Sequence, residues 1–546
     1  MLTPLTPTQQ QWVETTLAAM TLEECAGQLL CPMLPQFTTN DWLDLLKKVP
    51  LGCMFIRGLP SEELRQMMTA IQSSARIPLL VAGDLEHGAL AIKDEGTEFP
   101  WPMAAGAAND EELMELMGRA TAVEARYAGL HWTFAPVVDL NYNFNNPITN
   151  VRALSDDPER VMRLAPPWIK GLQQDGLLAA TAKHFPGDGV DDRDQHLATS
   201  INSLPFGQWQ QTYGRVWQRV IEAGVLTIMP GHISLPDYQG FADYPDEAPP
   251  ATISPDLLTD LLRHDLGFAG LLVSDASPMI GLTSRLPADE RVIRALEAGI
   301  DVYLFPDPVK DFARILQAAR TGRLSEERLR QSARRVLELK ARLNLHLDAF
   351  GPAPTAAQKQ SFQQAAQDMA DKSITVLRND GRPPVSLAPG AKVLTVTIGQ
   401  INPAMGQSDL DTFDQEFRRR GYQVDHLLNP DNDSLRASVT DHDLVFINVC
   451  TTPMMVLGTV RTVIGGFRTW GWRSLFTDHS HVVFTSFGNP YLLYEMPHLP
   501  HLVAAYGPSP VSQRAAVKAW LGEITPSGQC PVKMPRVTVK PLPTGL

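Results

Sequence analysis

Short apolar runs alternate with longer amphipathic stretches from the N-terminus to about Leu345, and this alternation predicts parallel strands joined by crossover helices. Eight runs read as strands: residues 27–32, 52–56, 78–82, 132–138, 178–182, 225–229, 271–274 and 301–305. The stretches between them carry helix starts. Thr21 with Glu24 and Asn109 with Glu112 have capping-box spacing, while Ser254-Pro255 and Asp157-Pro158 set a cap before a proline at the first helical position. Eight strand–helix units in this length favour a (β/α)8 TIM-type barrel over an open doubly wound sheet.

From residue 346 to 360 the run HLDAFGPAPTAAQKQ is rich in proline and alanine without a strand pattern, as a linker should be. Beyond it, apolar runs at 393–398, 444–449, 482–487 and 502–505 predict a second, mostly parallel α/β sandwich. The expected division is a barrel over 1–345, a linker over 346–360 and a C-terminal α/β domain over 361–546. No GxGxxG follows the first strand of that second part, which argues against a dinucleotide site.

Composition narrows the class. With 44% hydrophobic and 20% charged residues in 546, the chain is globular rather than disordered. Its 47 Lys and Arg against 60 Asp and Glu give a net charge of −13, and there is no long basic run, so neither nucleic acid nor an anionic membrane is an expected partner. The longest apolar runs, such as 268–273 and 444–449, fall far short of the roughly 20 residues that cross a bilayer. The five cysteines, Cys25, Cys31, Cys53, Cys450 and Cys530, are odd in number and form no CxxC pair, which argues against a disulfide framework and structural zinc. Residues 1–13 lack a basic segment followed by an apolar one, and the chain is expected to be cytoplasmic.

Barrel active sites are built from the carboxyl ends of the strands and the loops after them. Polar residues gather there: Asp84, Asp139, Lys183 with His184, His232 and Asp275 each follow a predicted strand. A single Asp in such a place also reads as a helix cap, but five positions together point to a site. The densest stretch is Lys183-His184-Phe185-Pro186-Gly187-Asp188-Gly189, continuing through Asp194-Gln195-His196. Lys183 and His184 are placed to grip sugar hydroxyls, and Asp194 is close enough in sequence to orient the His196 imidazole and stabilise its protonated form. Two other readings stay open for this loop: a metal site made from its four aspartates and two histidines, although the spacing fits neither an EF-hand nor HExxH, and a solvated acidic surface loop.

The run Lys183 to His196 resembles the KHFPGHGxxxxDSH signature of glycoside hydrolase family 3, in its β-N-acetylglucosaminidase subset. Phe134-Ala135-Pro136-Val137-Val138-Asp139 with Asn146-Pro147 and Arg152 is similar to the family's FAPVLDV…NNP…R, and Pro250-Ala251-Thr252 with Val273-Ser274-Asp275 to its PAT…VSD. Ala298-Gly299-Ile300-Asp301, Ser373 to Leu377 and Pro526-Ser527-Gly528 extend the resemblance into the C-terminal part. It implies a cofactor-independent retaining exo-β-glycosidase without a metal, acting on a small carbohydrate, most simply a glycoside with terminal β-N-acetylglucosamine. Asp275 would be the nucleophile, His196 the acid/base and Asp194 its orienting partner, with Asp84, Arg152, Lys183 and His184 binding the sugar. The oligomeric state is not implied.

The sequence departs from the family's pattern at several points. The histidine after KHFPG is Asp188, DSH is Asp194-Gln195-His196, SDDL is Ser274-Asp275-Ala276-Ser277, and DQEGGRVxR becomes residues 84–92 with both arginines gone. His87-Gly88 is similar to the DxxHG of the family's β-glucosidases, so a β-glucosidase is an alternative substrate class. Phosphorolysis is another, because a neutral imidazole repels phosphate less than a carboxylate does. A sugar-binding protein on a decayed barrel is the non-enzyme alternative. The loop 185–203, glycine-containing and charged, is expected to be a mobile lid that holds His196 away from Asp275 until a sugar binds.

Overall fold

The computed structural model describes residues 2–34, 38–90, 92–93, 95–399, 410–451 and 475–536. Met1, residues 35–37, Ala91 and Asp94 of the expected 1–345 domain, and residues 400–409, 452–474 and 537–546 of the expected 361–546 domain, lie outside the described residues.

The first part of the chain forms β1 (Leu30–Cys31), β2 (Cys53–Phe55), β3 (Leu80–Gly83), β4 (Trp132–Thr133), β5 (Thr181–Phe185), β6 (Ser200–Ile201), β7 (Thr227–Pro230), β8 (Ile233–Ser234), β9 (Leu271–Leu272) and β10 (Tyr303–Leu304). Each of the eight apolar runs contributes a strand, and every one but β5 is shorter than its run. The strands pair in parallel as β1–β10, β2–β3–β4, β5–β7–β9 and β6–β8. The α/β expectation holds, with the described strands forming these short ladders rather than one continuous eight-stranded ladder. Prolines explain part of the shortness: Pro32, Pro136 and Pro186 follow β1, β4 and β5, and Pro230 ends β7, and none of them has an N–H to continue a ladder. Backbone bonds also run between ladders, among them Thr133 N to Ala179 O (2.9 Å), Ser274 N to Val302 O (3.0 Å) and Phe55 N to Pro32 O (3.0 Å).

The inner faces of these strands pack Phe55, Trp132, Phe134, Met229, Val273 and Leu304 into one apolar cluster, and each such side chain contributes about 1.5–3 kcal/mol by leaving water. Trp132 brings a donor into that core. Its Nε1 lies 2.9 Å from Thr181 Oγ1 and 3.0 Å from Thr227 Oγ1, so two threonines in otherwise apolar strands satisfy a group that would be costly unpaired. Helix starts follow side-chain chemistry. Thr21 and Glu24 form the expected capping box, whereas Asn109 ends the preceding helix in the left-handed region (φ 57°) and Asp110 caps Glu111–Ala128. None of the described helices is long and apolar enough to cross a membrane.

The C-terminal part forms β11 (Thr375–Arg378), β12 (Lys392–Gly399), β13 (Gln423–Leu428), β14 (Leu444–Cys450), β15 (Val482–Ser486) and β16 (Leu502–Ala504) in the order β11-β16-β15-β14-β12-β13, parallel except for β11. The four expected strands form the middle of this sheet; the two edges, β11 and β13, were not expected.

The chain divides into two compact units: the residues up to Thr97 with Met114–Leu140 and Val161–Phe362, and Glu98–Leu113 with Asn141–Arg160 and the residues from Gln363 onward. This differs from the expected division in two ways. Segments 98–113 and 141–160 belong to the second unit, because Trp101, Met103, Ala104 and Val151 pack with Tyr491, Tyr506 and Val532. Residues 356–360, expected as linker, open the helix Ala356–Ser373.

Candidate active site

In the first unit the parallel strands deliver their polar residues at the carboxyl ends, where side chains escape the apolar interior. Asp84 follows β3, Asp139 follows β4, Lys183 and His184 lie in β5, His232 follows β7 and Asp275 follows β9. Lys183 is buried, and its Nζ lies 2.8 Å from Glu86 Oε1 and 3.4 Å from Asp84 Oδ1. A buried ammonium is tolerable only with such partners. The Asp84 side chain keeps 57% of its exposure, so it can also accept from a ligand.

Asp139 is fully buried and organises the next residue. Its Oδ1 accepts from His184 N (3.1 Å) and Asp188 N (2.7 Å), and its Oδ2 lies 2.7 Å from His184 Nδ1. A carboxylate only accepts, so the proton sits on Nδ1 and the ring is fixed in orientation. His184 Nε2 then stands 3.9 Å from Asp275 Oδ2. Burial pushes the Asp275 carboxyl up, but the neighbouring His184 and the Ala276 N–H, 2.7 Å from Oδ1, outweigh it and hold the group below its ordinary value. The result is a carboxylate kept ionised in a dry setting, which suits a nucleophile. Its backbone is tied across the ladder, Asp275 N donating to Pro230 O at 3.2 Å.

Asp194 and His196, expected from the sequence as orienting partner and acid/base, are hydrogen-bonded to each other. Asp194 Oδ1 accepts from both the backbone N–H (2.8 Å) and Nδ1–H (2.7 Å) of His196. Asp194 is buried while the His196 ring stays a quarter exposed, leaving Nε2 for a proton transfer. A proton on His196 would also help to lower the Asp275 carboxyl.

The loop carrying this pair, expected as a mobile lid, is hydrogen-bonded along its length. Asn202 Nδ2 donates to Gly187 O (3.0 Å), Ile201 N to Asp191 Oδ2 (2.9 Å) and Thr199 Oγ1 to Gly281 O (2.9 Å), and β6 pairs with β8. The anchors are polar, so a count of apolar residues does not see them.

Among the expected sugar-binding residues, Asp84, Lys183 and His184 come together with Asp275 at these strand ends. Arg152 lies on the short turn Asn150–Arg152 in a segment of the second unit and donates to Ile148 O at 3.2 Å. Glu86, Asp139, His232 and Gln195 complete the site without having been assigned roles. Asp139 and His232 are visible in the sequence only as polar strand ends. Glu86 and Gln195 give no signal, because their partners are 97 and 37 positions away. His232 is fully buried, which pushes its imidazole down toward the neutral form; its Nε2 lies 3.0 Å from Ala276 O, which can only accept, and its Nδ1 lies 2.9 Å from Thr252 Oγ1.

Known proteins are similar to this chain in sequence and fold. Residues 21–339 match the family model described as the glycosyl hydrolase family 3 N terminal domain. The chain is 34% identical over 548 residues to a beta-N-acetylglucosaminidase/beta-glucosidase of Cellulomonas fimi, with 95% of each chain covered. Among solved structures it is similar to the beta-glucoside phosphorylase BglX bound to 2FGlc, at a TM-score of 0.87 and 30% identity over 97% of both chains. It is also similar to a family 3 beta-N-acetylglucosaminidase from Paenibacillus sp. str. FPU-7, at a TM-score of 0.85 and 25% identity over 95% of this chain and all of the other.

Proposed function

The chain belongs to glycoside hydrolase family 3, and on that footing we propose that it is a retaining exo-β-glycosidase whose first substrate class is terminal β-N-acetylglucosamine, with β-glucosides second. The eight strands β1 to β5, β7, β9 and β10 are read as one (β/α)8 barrel, a reading supported by the backbone bonds that run between their ladders.

The observation that carries the proposal is the pairing of two distinct groups at one set of strand ends. Asp275 is a buried carboxylate held ionised beside His184, and His196 is an imidazole held by Asp194. Retaining hydrolysis needs one group to attack and one to donate a proton. In the first step an Asp275 oxygen attacks the anomeric carbon while His196 Nε2–H protonates the departing glycosidic oxygen, giving a glycosyl-Asp275 ester and the free alcohol. In the second, neutral His196 takes a proton from water as that water attacks the anomeric carbon, releasing the sugar with retained configuration and restoring Asp275. Asp84, Lys183 and His184 hold the sugar hydroxyls.

Phosphorolysis is the second reading. It is favoured by the similarity to a beta-glucoside phosphorylase and by the proton donor being an imidazole, which carries no negative charge after giving up its proton. Phosphate would then attack the ester in place of water and leave with the sugar as a glycosyl phosphate. Rates on 4-nitrophenyl β-GlcNAc and 4-nitrophenyl β-glucoside, each with and without inorganic phosphate, test both readings. Turnover of neither glycoside overturns the proposal, and a glycosyl phosphate product accompanied by acceleration moves it to the second.

A further inference from the structure

Gln195 sits between Asp194 and His196 in sequence, yet its side chain points into the protein and is 1% exposed. Its Oε1 accepts from His232 N at 3.0 Å, and its Nε2 donates to Asp188 Oδ2 at 3.3 Å. Its backbone carbonyl accepts from Gly281 N at 3.1 Å, and the next carbonyl, of His196, accepts from Ile280 N at 3.0 Å. These partners come from three different elements. Asp188 is attached through its N–H to Asp139, which orients His184; His232 is attached through Nε2 to Ala276, whose N–H holds Asp275; and Ile280–Gly281 lies on the chain leaving Asp275.

Two glycines make room for this residue. A Cβ on Gly281 would lie 2.7 Å from Gln195 O, and one on Gly231 would lie 3.1 Å from Gln195 Oε1. Asp188 and Gln195 are also two of the positions at which this sequence departs from the family signature, and they bond to each other.

We propose that Gln195 is the positioning residue of the acid/base, its amide clamping the Asp194–His196 pair to the elements that carry His184 and Asp275, with Asp188 as the matched acceptor. This rests on His196 being the proton donor. The clamp fixes the direction of His196 Nε2 rather than its basicity, so its loss is felt where protonation of the leaving group limits the rate. An activated phenolate departs with little help, whereas a sugar alkoxide needs the acid. The contact is also directional: the carboxylate can only accept and the amide nitrogen can only donate. Exchanging the two groups between the positions should therefore preserve it.

Four variants are compared on a 4-nitrophenyl glycoside and on a β-linked disaccharide of the same sugar: Gln195→Met, which keeps the volume without the hydrogen bonds, Gln195→Glu, the exchange Asp188→Asn/Gln195→Glu, and His196→Ala. Gln195→Met and Gln195→Glu should lower kcat on the disaccharide at least about tenfold more than on the activated glycoside, and the exchange should return this ratio to within about threefold of the parent. Equal losses on both substrates, or a folded exchange variant that recovers nothing, would overturn the clamp. His196→Ala separates this from the premise: if it shows no leaving-group dependence, the assignment of the acid fails, and if it does while both Gln195 single variants do not, only the clamp fails.

Discussion

His184 is held by Asp139 through two hydrogen bonds at once, backbone N–H to Oδ1 at 3.1 Å and ring Nδ1–H to Oδ2 at 2.7 Å. The pair turns a flexible imidazole into a fixed one whose other nitrogen faces Asp275. It also makes Asp139 the hub of β5, since Asp188 N shares Oδ1.

Asp139→Ala should therefore destabilise the protein by about 3 kcal/mol or more, because three buried N–H groups lose their acceptor. Asp139→Asn keeps an oxygen for the two backbone donors but sets an amide nitrogen against the ring Nδ1–H. It should fold with a smaller fall in Tm while losing about 10–100-fold in kcat/KM. Thermal melts beside initial rates check this, and a fully active Asn variant would contradict the orienting role.

The Lys183–Glu86 contact at 2.8 Å leads to a different expectation for each partner. Lys183→Met removes the donor proposed to bind the sugar and leaves Glu86, with 12% of its side chain exposed, without this counterion. A rise in KM of at least about tenfold with some loss of stability is expected. Glu86→Gln can still accept from the ammonium and should cost less on both counts. Steady-state kinetics of the two variants, with equal KM values as the contrary outcome, decide it.

Asp275 makes stability depend on pH in a predictable direction. Its carboxyl is held below the ordinary 3.8, burial opposing and His184 prevailing. A depressed pKa adds stability that is fully present above 3.8 and is lost as pH falls through the folded value. Asp275→Asn should thus be less stable than the parent at pH 5.5, and the gap should narrow at pH 3. Urea unfolding at the two pH values measures it; a gap that widens on acidification would reverse the sign of the interaction.

His196→Ala should cut turnover of a disaccharide by about 10²-fold or more while sparing an activated aryl glycoside. Asp194→Ala should act in the same direction and less strongly, since it disorients the ring rather than removing it. Equal damage on both substrates would move the acid role to another residue.

Much of this was legible before any coordinates. The apolar runs located eight of the ten described strands of the first unit because each is buried on both faces, and Lys183, His184, Asp194, His196 and Asp275 stand in motifs whose residue types carry their chemistry. The rest depends on partners distant in sequence. Trp101 and Val151 read as ordinary apolar positions inside the first region, and only their packing against Tyr491 and Tyr506 assigns them to the second unit. The edge strand β13 is half exposed along its length and offers no continuous apolar run. Gln195 looks like a surface residue of a charged loop, and its role comes from His232 and Asp188 meeting it from separate elements.

The central claim is that catalysis passes through an ester on Asp275. Incubation with a 2-fluoro glycoside carrying a good leaving group slows the second step and traps the intermediate, and peptide mapping by mass spectrometry then locates it. The label is expected on the peptide containing Asp275, at one sugar per chain, with Asp275→Ala unlabelled and at least about 10³-fold less active. A label on any other carboxylate, or an Asp275→Ala variant that still accumulates the adduct, would contradict the account.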